Sequence, residues 1–199
     1  MNQVTNTIKN VIDLTWPMVI ISIVVLVSLR ITYLIKNKEH LTLYRELLTL
    51  SFIIYILCLF QIVTFQDEVN WSSNNFVPFK EMFRYELGSR LFLKNVIGNL
   101  LLFLPFGFFT THYLKSEKPY IVIIITVIVS VAIELVQMAI GRVFDIDDII
   151  LNIVGGTLGY FIYALLRSIG NKLPKVFKSE IFLNIISVII LVGVISLIV

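Results

Sequence analysis

The chain has 199 residues, 58% hydrophobic and 15% charged, where soluble domains carry about 45–50% and about 25%. A mean hydropathy of +0.93 is more apolar surface than a soluble fold of this size can hide, and it leaves no room for a large soluble catalytic domain. The net charge of +3 comes without a basic run of five or more, so nucleic acid is not an expected partner.

A helix needs about 20 apolar residues to cross the hydrocarbon core. Six stretches meet or nearly meet that length: 17–35, 47–65, 91–113, 119–140, 148–167 and 181–199. The first is read as starting at Pro17, a favoured first-turn residue, and as a retained helix rather than a signal peptide. The second holds the single cysteine, Cys58, which can form no internal disulfide and reads as a small buried or lipid-facing residue. The connection 66–90 is the longest. It carries Trp71, Phe76, Pro78, Phe79, Phe83 and Tyr85 among mixed charges. Such a segment suits the headgroup region or a re-entrant fold, its aromatics acting as interfacial anchors.

The third span is the least typical. Asn95 and Asn99 are four residues apart and share a helical face, and Pro105 and Gly107 weaken the helix deeper in. The fourth holds Glu134 in a run with no charge for seven residues on either side, with Gln137 on the same face. An ionised carboxylate there needs a cation, a hydrogen-bond cage or a proton. An ion pair with Arg142 or Lys94 is one reading, and substrate or proton handling is the other.

Residues 141–152, which lead into the fifth span, read GRVFDIDDIILN. Asp145 is placed to cap the helix, with Asp148 three residues on in a capping-box-like arrangement. At 100° per residue Asp148, Asn152, Gly155 and Gly159 form one stripe. The Gly155-x-x-x-Gly159 pair lets another helix approach closely, so the stripe should face a helix and not lipid. The sixth span is almost purely apolar and is expected to face lipid.

Short-loop Lys and Arg orient the spans. With the N-terminus outside, ten of the 16 basic residues lie at cytoplasmic ends and six at outer ends. Both termini are then outside, and the polar residues of spans three, four and five meet in the outer half, beside the long aromatic loop. His112 falls at the inner end as a solvated interface residue. The expected fold is all-α, a polytopic membrane helical bundle of about six transmembrane helices. Its parts are two N-terminal helices in 1–69, a core of interfacial loop and three helices in 70–167, and a basic linker with a last helix in 168–199.

At these residues the chain resembles the VanZ-like family of bacterial membrane proteins. The segment Asn75-Phe76-Val77-Pro78-Phe79 is similar to the family's N-[LI]-[IV]-P-F box. The stretch from Asn95 through Asn99 to Pro105 and Gly107 is similar to its N-x₃-N-…-F-x-P-x-G helix. Glu134 and Gln137 match its E-x-x-Q pair, and Arg142, Asp148, Asn152, Gly155 and Gly159 match its R-x₅-D-x₃-N-x₂-G-x₃-G segment. The family is named for a protein associated with low-level teicoplanin resistance. The resemblance implies a multi-pass protein of the bacterial cell membrane with a site at these positions, and carries no reaction with it.

The expected binding set is therefore Asn75, Pro78, Asn95, Asn99, Glu134, Gln137, Arg142, Asp148, Asn152, Gly155 and Gly159. The expected partners are membrane lipids and a lipid-linked cell-wall precursor or lipoglycopeptide. No cofactor and no metal are assigned. The leading function is action at the outer leaflet on lipid-linked or amphiphilic molecules, contributing to glycopeptide resistance. One alternative is an intramembrane enzyme acting on a lipid through Glu134 and Asp148. Another is a structural partner of a second membrane protein. A small transporter ranks last, because no inverted repeat is evident.

Overall fold

A computed structural model describes residues 2–38, 40–64, 74–170, 172 and 174–195, with side chains described for all of these except 2–16, 18, 19 and 61–64. Six helices account for most of it: α1 (Asn2–Asn37), α2 (Leu43–Thr64), α3 (Arg90–Leu114), α4 (Pro119–Ala139), α5 (Ile146–Gly170) and α6 (Glu180–Ile195). Five are long and apolar enough to cross a membrane, and α6 is a shorter apolar helix of 16 residues. The chain is a multi-pass membrane protein whose described residues are nearly all helical. Trp71, the opening of the long connection and the last four residues of the sixth span lie outside the described residues.

The predicted span limits hold to within a few residues except at the first. The start at Pro17 is corrected, because α1 begins at Asn2 and Pro17 lies inside it. Proline's fixed φ is itself helical, so a helix can run through it at the loss of one amide donor. The same holds at Pro105, across which α3 continues unbroken.

The chain divides into two compact units, residues 1–67 with 173–199, and residues 68–172. In the first, α2 packs against α6 and, less extensively, α1. Ser51, Ile54, Tyr55, Cys58 and Leu59 are buried. Arg30 and Glu46 join α1 to α2 through two hydrogen bonds of 2.9 and 3.0 Å.

In the second unit α5 is central and packs against α3 and α4. Small residues permit that approach. A methyl group at Gly155 would strike the carbonyl of Leu100, one at Gly159 the carbonyl of Leu104, and one at Gly107 the carbonyl of Gly156. On the other side of α5, a methyl at Gly156 would lie 2.6 Å from Thr126 Oγ1 of α4. The glycine stripe therefore faces helices, as its spacing predicts. Phe103, Phe106 and Phe109 fill the core of this unit from α3. His112 is half-buried, with its ring 5.7 Å from that of Tyr163 and 5.1 Å from that of Tyr113. The expectation of a solvated histidine is corrected to one packed among tyrosines.

Candidate functional site

The polar residues of the second unit gather where α4 ends and α5 begins. Gly141, at φ +88°, makes the turn. Its left-handed conformation closes a helix C-cap in which the Arg142 N–H donates to the Gln137 carbonyl at 2.9 Å, and glycine takes that conformation at no steric cost. Residues 142–145 are thereby folded back over the end of α4, where Glu134 and Gln137 are buried.

Asp145 caps α5 by accepting the Asp147 N–H at 2.9 Å, satisfying one of the donors a helix start leaves free. The reciprocal half of the expected capping box is corrected. The Asp145 N–H donates to Glu134 Oε2 at 2.9 Å, so a carboxylate from α4 takes the place expected for Asp148. Asp148 turns instead toward α3, where the Asn99 amide donates to it at 2.5 Å. Arg142 lies at the same turn, within electrostatic range of Glu134 and Asp148.

The loop of residues 74–89 lies across this turn as a strap. The Asn75 N–H donates to the Phe144 carbonyl at 2.8 Å and the Ile146 N–H donates to the Asn75 carbonyl at 3.1 Å. The Asn75 amide donates to Asp145 Oδ1 at 2.8 Å, and Asn74 Oδ1 accepts the Phe144 N–H at 3.0 Å. Asp147, 2% exposed, accepts the N–H groups of Phe79, Glu81 and Met82 at 2.5, 2.8 and 2.9 Å. Phe79 sits at φ +66°, a conformation bulky residues seldom adopt unless their surroundings hold them there. The Asp147 carboxylate supplies that hold. Asp145, outside the helices, has its carboxyl raised above the usual aspartate range because burial outweighs the bonds from Asp147 and Asn75.

Asn152 lies one turn below Asp148. Its amide donates to Ser130 Oγ on α4 at 2.9 Å, and its Oδ1, buried, has no hydrogen-bond partner among the described residues. Asn95 does not join Asn99. Residues Leu93–Ile97 form a π-turn, and within it Asn95 donates to the Tyr85 hydroxyl of the strap at 2.9 Å. The shared face expected from a 3.6-residue repeat thus gives way to two different partners. Pro78 is exposed on the strap.

The structure therefore brings Asn75, Asn99, Glu134, Gln137, Arg142 and Asp148 to one end of the unit. It places Asn152 a turn deeper, Gly155 and Gly159 in helix packing below, and Asn95 against the strap. Among the described residues, no group of three or more His, Cys, Asp or Glu side chains is arranged to hold a metal ion. Sequence reasoning passed over Thr126, Ser130 and the role of Asp147, and took Tyr85 as an interfacial anchor rather than as the partner of Asn95. Thr126 and Ser130 were detectable, since with Glu134 they recur every four residues along the buried face of α4. Tyr85 and the strap amides carry no periodic signal.

A comparison with known protein families matches the VanZ/LLP1 family over residues 52–167, more than half of the chain. No curated protein and no solved structure matches. The chain belongs to the VanZ/LLP1 family.

Proposed function

We propose that this VanZ/LLP1 chain resides in the bacterial cell membrane and engages the anionic headgroup of a lipid-linked or amphiphilic molecule at the outer leaflet. By that route it contributes to glycopeptide (teicoplanin) resistance. The observation that supports this reading is the Arg142 guanidinium, set within electrostatic range of the buried Glu134 and the half-buried Asp148 at the end of a helical unit. Arginine is suited to phosphate and carboxylate recognition by its planar fork of donors. Glu134 and Asp148 lie within its electrostatic range, which favours a ligand that brings hydrogen-bond donors as well as negative charge.

The test has two parts. The detergent-purified chain is assayed for binding a polyprenyl phosphate, and Arg142→Gln is expected to weaken it about tenfold or more, the value of a lost charge-assisted bond. Teicoplanin susceptibility is then compared in a sensitive host with and without the gene, at verified expression. An unchanged inhibitory concentration removes the resistance part, and equal binding by Arg142→Gln removes the headgroup part.

A second reading, an intramembrane enzyme acting on a lipid, is favoured by the different settings of Glu134 and Asp148. One accepts a backbone N–H and the other a side-chain amide, which suits separate acid and base roles. Wild-type lipid composition and function in Glu134→Gln and Asp148→Asn would exclude it.

A further inference from the structure

The strap has a property that a loop destined for water does not need. From Val77 to Arg84 every backbone N–H that proline does not remove donates to a protein acceptor. Val77 donates to Asn75 Oδ1, while Phe79, Glu81 and Met82 share the Asp147 carboxylate. Lys80, Phe83 and Arg84 donate to the carbonyls of Val77, Phe79 and Glu81. Water would satisfy these groups without any such arrangement, whereas irregular backbone at membrane depth is tolerated only where protein does so.

The side chains point the same way. Phe76, Phe83 and Leu87 are 64%, 81% and 87% exposed. That apolar surface continues onto Leu91 and Leu93 at the start of α3, both more than half exposed. Residues 74–94 carry Lys80, Arg84, Arg90 and Lys94 against Glu81 and Glu86. An apolar surface interleaved with a basic excess complements an anionic phospholipid surface.

We propose that the strap is a lipid-embedded wedge: residues 76–87 enter the headgroup and upper acyl region of an anionic bilayer. Asp147, buried in protein, makes their backbone compatible with that depth. The occupant of the exposed face is the bilayer itself. The inference is independent of amphiphile binding and of the reading of Arg142, and it stands or falls on depth alone.

The experiment uses the full chain in vesicles of phosphatidylglycerol and phosphatidylethanolamine, with Cys58→Ala to leave one labelling site. Spin labels are placed at Phe83→Cys and, separately, Leu87→Cys, both exposed enough to spare the fold. Glu117→Cys, in the opposite α3–α4 loop, serves as an aqueous reference. Collisions with oxygen are expected to exceed those with a nickel chelate at both strap positions and to be fewer at Glu117. Nickel collisions dominating at Phe83 and Leu87 would place the strap in water and overturn the proposal. Protection from both reagents would mean that protein covers the face, and would overturn it equally. Adding Asp147→Asn is expected to shift both strap labels toward nickel, and unchanged depth would overturn the part assigned to Asp147.

Discussion

Three acidic residues in four positions have three unlike jobs. Asp147 is the strap's acceptor, and each buried amide left without one costs about 1–3 kcal/mol. Asp147→Ala should therefore lower stability by several kcal/mol, measured by thermal unfolding in detergent. Asn152→Leu should cost about 1–3 kcal/mol in the same melts, because the buried Ser130 Oγ loses the amide that donates to it. A gain in stability in Asn152→Leu would mean that the unpartnered Oδ1 outweighs the bond to Ser130. Asp145 is the group whose charge works against folding. Its folded pKa is raised, so its contribution to stability is complete below the ordinary aspartate pKa and is lost as pH rises through the higher folded value. Asp145→Asn keeps the acceptor oxygen without the charge. Its unfolding temperature should fall less than that of the wild type between about pH 4 and pH 7, and parallel profiles would remove this assignment. The residue identities were legible beforehand, since Glu134, Asp148 and Asn99 stand out as polar groups in apolar spans. Their pairings were not, because Glu134 reaches a backbone amide 11 residues away and Asn99 a carboxylate 49 residues away.

At the level of elements, the α3–α5 pair sets the site's geometry. Gly155→Ala would place a methyl against the Leu100 carbonyl, with backbone and not a flexible side chain in the way. Overpacking of this kind costs about 1–3 kcal/mol or more, and it should push Asn99 away from Asp148 as the helices part. Gly170→Ala meets open space and should be neutral or stabilise by about 0.4–1 kcal/mol through the unfolded chain. Comparing the two in thermal melts isolates the packing. Equal effects would show that the close approach is not what holds the pair. The glycine stripe was readable from its spacing alone. The π-turn at Leu93–Ile97 was not, since one extra residue in a turn leaves no mark on composition, yet it decides that Asn95 meets the strap and Asn99 meets α5.

For the whole molecule, the Lys and Arg bias predicts that the Asp145 turn is outside and the 115–118 loop inside. In a Cys58→Ala background, Val143→Cys should react with a membrane-impermeant thiol reagent in intact cells, and Glu117→Cys only after permeabilisation. The reverse pattern would invert the orientation and with it the outer-leaflet reading. The apolar 58% by itself determined a multi-pass helical chain, because span length and the cost of exposed backbone in lipid leave few other solutions. It also marked which polar residues are out of place, because their desolvation cost is a local property. Only the tertiary structure decided what those residues do. A carboxylate in a membrane protein can be answered by an arginine, an amide, a backbone N–H or a strap, and that choice depends on which segments meet, over separations up to 70 residues, which no local pattern encodes.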